Sequence, residues 1–229
     1  MIHWEAPGPY VVAFTTRHGG VSDGPYASLN LGSRVGDDLE RVHENRRLVC
    51  AELGLAATRL TVNRQRHSPT VHRAEPGRLD EPGDGLWTDE RSLPMLALGA
   101  DCAVIAVAAT AGPPRLAVLH AGWRGLAEGV VGAGVAALGS GPKAAVVGPT
   151  IGPCCYEVGP EVSERFDPDL TSDGILDLWR ASERALRQAG VAVVERVDLC
   201  TRCNPELFFS HRRSGKQRGV QGVIGALTG

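Results

Sequence analysis

The sequence has few aromatic residues, two methionines, seven histidines and almost no net charge, and each shortage removes a class of protein. A formal charge of -2 leaves no basic face for a nucleic-acid backbone or an anionic membrane, so a small-molecule substrate is expected in place of either partner. The opening MIHWEAPGPYVV has neither a basic n-region nor an apolar h-region, so no signal peptide is expected. Long uninterrupted hydrophobic runs are missing too. The stretch from Met95 to Gly112 is broken by Asp101 and by internal glycines, and it reads as buried strand and not as a membrane span. Without internal repeats or a low-complexity linker, residues 1–229 are expected to form a single domain. Six cysteines without a secretion signal are expected to be reduced thiols in a cytoplasmic protein, used for metal or packing and not for a disulfide framework.

What is present points to sheets and turns. The 29 glycines and 15 prolines supply tight turns and close backbone approaches. Val11 to Thr16 reads as a strand entering the loop RHGGVSDGPYASLNLG. Asp37 and Asp38 are suited to cap a helix with Leu39, Val42, Val49 and Leu53 on one face and Gly54 at its end. Leu60 to Arg64 is the next strand, and Pro94 to Ala108 and Leu116 to His120 read as two buried strands joined by a turn. A helix of small residues is expected from GWRG to about Leu138, and a strand over Lys143 to Gly148. Asp173 is expected to begin a helix closed by Gly190, with strands over Val191 to Leu199 and Gly219 to Leu227 after it. Strands alternate with helices only in part, so the expected class is α+β, with mixed sheets and helices outside them.

Three candidate ligands fall near the ends of expected strands: His67 after LTVNRQ, Cys102 inside LGADC and His120 closing LAVLH. A catalytic zinc takes three protein ligands and leaves a fourth position open, and it accepts mixed imidazole and thiolate. Spacing alone leaves the plainer reading open, in which the histidines are hydrogen-bonded residues at strand ends and Cys102 a small buried hydrophobe. Asp101 needs a partner inside an apolar strand, either a ligating histidine or an arginine such as Arg124. Asp84 and Asp89, in DGLWTDE, default to turn capping, with acid–base work as the alternative. Cys154 and Cys155, with the lone CxxC of Cys200 and Cys203, read first as packing thiols and only second as a zinc site, for want of a second CxxC pair or histidine partners.

The segments TTRHGGVSDGPYASLNLG, GADC, HAGWRG, GPTIGPCCYEVG and CTRCNPELFFSHRR occur in that order along nearly the whole chain. Together they closely resemble the signature of the YfiH family, also called the laccase-domain or FAMIN-like family. The resemblance implies a central β-sandwich of mixed sheets with outer helices. It implies a metal at His67, Cys102 and His120, the Gln65 position selecting His67 over His72. It also implies phosphorolysis of purine nucleosides, methylthioadenosine included, with adenosine deamination as a companion activity. Purine nucleosides and phosphate are then the expected partners and zinc the expected cofactor, with copper the alternative, on a monomer or small homo-oligomer. Arginine forks match phosphate oxygens in pairs. Arg47, in the family-like Asn-Arg stretch of the first helix, is the leading phosphate candidate, and Arg17 is the second. Asp101 and Trp123 are further candidates for substrate contact, Trp123 stacking on a base or simply filling the core. Two departures stand out. Arg66 and Ser68 flank His67 where relatives read QVHG, and Gly219, Val220 and Gln221 replace GlyArgGln; if that arginine helps to bind substrate or phosphate, Lys216 or Arg218 must compensate.

Two other functions compete. A copper polyphenol oxidase is compatible with three ligands of which one is a thiolate, although multicopper enzymes use many more histidines than seven. A metal-free cysteine hydrolase would use Cys102 as nucleophile and His120 as base. The HxE and PCxxC pattern of ordinary zinc nucleobase deaminases is absent.

Overall fold

The computed structural model describes residues 1–228. In chain order the strands are β1 (Ile2–His3), β2 (Tyr10–Phe14), β3 (Thr61–Arg64), β4 (Val71–Arg73), β5 (Leu79–Pro82), β6 (Gly85–Thr88) and β7 (Met95–Gly99). They continue as β8 (Ala103–Ala109), β9 (Leu116–Ala121), β10 (Lys143–Val147), β11 (Thr171–Ser172), β12 (Ile175–Leu176), β13 (Val193–Arg196) and β14 (Gln221–Leu227). The helices are α1 (Leu39–Glu52), α2 (Trp123–Ala127), α3 (Val130–Ala137), α4 (Pro160–Ser163), α5 (Leu178–Gln188) and α6 (His211–Ser214).

Two six-stranded mixed sheets form the centre, ordered β1-β2-β14-β7-β3-β5 and β13-β10-β8-β9-β6-β4. They face each other across a core in which Val12, Phe14, Met95, Ala97 and Val223 of the first sheet meet Leu86, Val104, Ala106, Val118 and Val146 of the second. The opposite side of the second sheet, through Ile105, Val107, Leu119 and Ala145, is covered by Leu126, Val130, Val135, Leu178 and Leu186 of α2, α3 and α5. On the first sheet Ala13, Val62, Leu96 and Ile224 are covered by Val49 and Cys50 of α1. The central strands are therefore buried on both faces, which is why β8 and β9 read as unbroken apolar runs and not as alternating ones. The class is the expected one, mixed sheets with helices outside.

Several boundaries differ from the sequence reading. Pro94 to Ala108 is not one strand. The chain leaves the first sheet at Gly99, turns through Ala100 to Cys102 with Asp101 at φ 87°, and enters the second sheet at Ala103. The helix expected from Asp173 begins instead at Leu178, where the Asp177 side chain accepts from the Arg180 N–H at 3.0 Å, and Ile175 and Leu176 belong to a small hairpin. The helix after GWRG is two helices, broken at Gly129 with φ 94°. Leu39, assigned to the buried face of α1, is 53% exposed. Asp38 does cap α1, accepting from the Glu40 N–H, and Gly54 follows it with φ 68°.

Candidate metal centre

His67 lies three residues past β3, Cys102 in the crossing between sheets, and His120 in β9. Sheet register brings the last two together, because Ala103 pairs with Ala121 and Val104 with His120. The neighbouring pairing of Gly85 with Leu119 sets Asp84 beside His120, whose N–H donates to the Asp84 carbonyl at 2.7 Å. Gln65 anchors the remaining arm. Its side chain donates to the Leu98 carbonyl and accepts from the Leu98 N–H, both at 2.7 Å, tying the end of β3 to β7. The donor atoms of His67, Cys102 and His120 all lie within 4.8 Å of one another, and the Cys102 sulfur is 3.8 Å from His67 Nε2. The two imidazoles meet edge to face, with ring centres 4.8 Å apart. His67 is exposed, Cys102 half-buried and His120 buried, so the cluster opens to solvent on the His67 side.

One carboxylate organises the cluster. Asp84 accepts from the backbone N–H groups of Arg66, His67 at 2.9 Å and Ser68 at 2.8 Å, from the Ser68 hydroxyl at 2.8 Å, and from His120 Nδ1 at 2.8 Å. Three successive N–H groups converge on it because His67 takes φ 60°, the left-handed conformation that folds a backbone around an anion. Burial works against the Asp84 charge. The His120 hydrogen bond, followed by those of Ser68 and Arg66, outweighs burial and holds the carboxyl well below its usual range. Burial likewise opposes charge on Cys102, yet His120 first and His67 second pull its thiol below the ordinary value. Against the same burial, Cys102 and Asp84 hold the His120 imidazole above its own. Gly122 leaves room for this contact, since a Cβ there would stand 2.7 Å from His67 Cδ2 and 3.0 Å from the Cys102 sulfur.

A family model described as multi-copper polyphenol oxidoreductase laccase matches residues 11–227. The chain belongs to this laccase-domain family. Among its relatives, the purine nucleoside phosphorylase YlmD of Geobacillus stearothermophilus is 38% identical over 96% of this chain and 89% of that one. The purine nucleoside phosphorylase YfiH of Escherichia coli K12 is 31% identical over 92% of this chain and 91% of its own. The crystal structure of Geobacillus YlmD superposes with a TM-score of 0.91 and 33% identity, covering 99% of this chain and 94% of that one.

The donor set of this laccase-domain chain fits a metal of zinc's chemistry. Zinc bonds of about 2.0 Å to nitrogen and about 2.3 Å to sulfur at a tetrahedral angle separate the two donors by about 3.5 Å. The observed 3.8 Å between His67 Nε2 and the Cys102 sulfur is close to that. With Nδ1 engaged by Asp84, the lone pair of His120 Nε2 is left to face the other two donors. The same donors accept copper, the metal that the family description names.

The other residues singled out from sequence take different places. Asp101 touches neither a ligating histidine nor an arginine side chain; its carboxylate accepts from the Thr201 hydroxyl and the Arg212 N–H, each at 2.6 Å. The histidine-orienting carboxylate is Asp84 instead, one of two aspartates the sequence left as turn residues. The signal for it was its position between Gly83 and Gly85 at the start of a strand pairing with LAVLH. Arg47 sits on the exposed face of α1 with its guanidinium on both oxygens of Glu44 at 2.7 Å. The buried arginine of that stretch is Arg46, which donates to the Leu31 carbonyl. Arg17 spends Nε and Nη2 on the Ala27 carbonyl and Nη1 on that of Pro205, and stacks on Phe209. Trp123, half-buried at the start of α2, carries the Arg124 guanidinium 4.7 Å over its ring. His72 lies in β4, with Nε2 2.9 Å from the Pro82 carbonyl oxygen.

Arg218 is half-buried just before β14, and its Nη1 donates to the Lys216 carbonyl at 3.2 Å. Burial lowers its pKa, and the charges of Asp101 and Cys102 act in the opposite sense. Its Nε is buried without a hydrogen-bond partner. Val220, which replaces the arginine expected at that position, is buried with Ala100 and Phe209 in a small apolar cluster.

Among the described residues no helix is long and apolar enough to cross a membrane.

Proposed function

We propose that this chain is a zinc-dependent purine nucleoside phosphorylase, with methylthioadenosine phosphorolysis and adenosine deamination as further activities of the same centre. The observation that carries the reading is the open cluster of His67, Cys102 and His120, with His120 fixed by Asp84. The names of the two bacterial relatives above point the same way.

Phosphorolysis forms a bond from a phosphate oxygen to the ribose C1′, breaks the bond from C1′ to the purine nitrogen, and leaves the departing base to take up a proton. Zinc held by His67, Cys102 and His120 would supply a Lewis acid that polarises an oxygen of the bound reactants. Asp84 keeps the His120 proton on Nδ1 and fixes the ring's orientation. Arg218, with an unpartnered Nε, is the group assigned to the phosphate oxygens, in preference to Arg47, which lies on the exposed face of α1 paired with Glu44, and to Arg17, whose Nε, Nη1 and Nη2 all donate to backbone carbonyls. Tyr156 is buried beneath the Arg212 guanidinium, which stands 4.9 Å from its ring centre.

The deciding experiment follows products from adenosine, inosine and methylthioadenosine, with and without phosphate, alongside metal content, in the native protein and in Cys102→Ala. Phosphate-dependent release of free base, with ribose 1-phosphate from adenosine and inosine and methylthioribose 1-phosphate from methylthioadenosine, is expected from the native protein only. Base release that ignores phosphate, or full activity in Cys102→Ala, would overturn the reading.

A second reading rests on the chain of Asp84, His120 and Cys102, which has the composition of a hydrolase triad with an activated thiol. It requires activity to survive complete metal removal and Cys102 to be labelled by an acylating substrate. Chelation that abolishes turnover excludes it.

A further inference from the structure

Four of the six cysteines lie outside the centre described above and converge on one point. Cys154 and Cys155 occupy the turn after β10, and Cys200 and Cys203 bound the turn after β13. Their sulfurs all fall within 4.8 Å of one another. Cys203 is 3.6 Å from Cys154 and 3.3 Å from Cys155, sulfur to sulfur. Sulfurs bound tetrahedrally to one zinc at about 2.3 Å are about 3.8 Å apart, so the spacing suits four ligands of one ion.

The backbone around them is built for this convergence. The Cys155 and Tyr156 N–H groups both donate to the Gly152 carbonyl, and the Asn204 N–H and side chain both donate to the Cys200 carbonyl, so each pair of cysteines sits on a closed turn. A bridge between Thr150 and Cys200 joins the turns. Gly152 permits the approach, because a Cβ there would meet Trp179 at 2.7 Å and Cys200 Cβ at 3.3 Å. The Arg213 guanidinium donates to the carbonyls of Thr201, Arg202 and Phe208, setting a fixed cation against the turn. Packing thiols would be expected to be buried, whereas Cys154 and Cys203 are exposed.

We propose that Cys154, Cys155, Cys200 and Cys203 form a second metal site, a structural zinc bound by four thiolates. Binding releases the four thiol protons to solvent and involves no change of oxidation state. The ion ties two turns that wall the first centre. Thr150 donates its hydroxyl to the Asp101 carbonyl, and Thr201 donates its own to the Asp101 carboxylate, so both turns bear on the residue before Cys102. The composition and closure of the set, with no open position, suit a structural role.

The test counts zinc per chain in protein purified under reducing conditions without chelating resin. Two ions are expected in the native protein, one in Cys102→Ala and one in the double variant Cys154→Ser/Cys203→Ser. Cobalt substitution of Cys102→Ala is expected to give the intense sulfur-to-cobalt charge transfer of a tetrathiolate site, and this measurement stands if the double variant fails to fold. Unchanged zinc in the double variant, no tetrathiolate spectrum, or a non-reduced mass lighter by two hydrogens through a Cys203 disulfide would each overturn the proposal. Unchanged zinc in Cys102→Ala would instead count against the first centre and leave this one standing.

Discussion

Asp84 and His120 are joined twice, by the His120 N–H on the Asp84 carbonyl at 2.7 Å and by His120 Nδ1 on the Asp84 carboxylate at 2.8 Å. Backbone and side chain are thus locked by one residue, and the imidazole has a single orientation and a single tautomer available to it. Changing Asp84→Asn removes the charge while keeping the shape. Metal affinity at the first centre is expected to fall by about 10–100-fold, measured by competition with a chromophoric chelator. Unaltered affinity would mean that Asp84 serves only the turn.

Metal removal bears on stability as well. A ligand bound only to the folded state at about a thousand times its dissociation constant adds about 4 kcal/mol. Chelator-treated protein is expected to melt at lower temperature and to recover when zinc is restored. A melting temperature indifferent to both treatments would remove zinc from the native state.

Gly122→Ala places a methyl group 2.7 Å from His67 and 3.0 Å from the Cys102 sulfur. Activity and metal affinity are expected to fall while circular dichroism stays native, because φ -64° and ψ 163° at this position suit alanine. The control is Gly132→Ala within α3, where a Cβ meets nothing within 4 Å. It is expected to stabilise by roughly 0.5–1 kcal/mol in denaturant unfolding.

Arg218 and Arg47 separate two accounts of phosphate binding. Arg218→Ala is expected to raise the KM for phosphate at least tenfold. Arg47→Ala, which loses an exposed pair with Glu44, is expected to leave it within about twofold. The reverse result would restore the assignment suggested by sequence.

Asp101→Asn leaves the Thr201 hydroxyl and the Arg212 N–H facing an amide. Because Asp101 is buried, a loss of about 1–3 kcal/mol in denaturant unfolding is expected. No loss would show that the carboxylate is not anchoring the C-terminal segment.

How much of this was legible follows from what each residue signals locally. Helix α1 was readable because Asp38 and Gly54 mark its ends chemically, and β8 and β9 because both of their faces are apolar. Strands β4 and β5, with VHR and LDEP, carry no hydrophobic pattern, and they pair only because the parallel partners β6 and β3 present edges to them. The break inside Pro94 to Ala108 was hidden for a related reason. An aspartate at φ 87° looks like any other aspartate in sequence; the hydroxyl and N–H that gather on its carboxylate, with Thr150 and the Ile151 N–H on its carbonyl, hold it there. Motif resemblance brought His67, Cys102 and His120 into consideration, whereas Asp84 is prepared by strand register, which no short motif contains.

The crossing of the chain between sheets at Ala100 to Cys102 makes the donor set depend on both sheets. His67 hangs from one half of the sandwich and His120 from the other, with Cys102 at the seam. A half-formed molecule offers an incomplete claw, so a cation captured by all three certifies that both halves have docked in register.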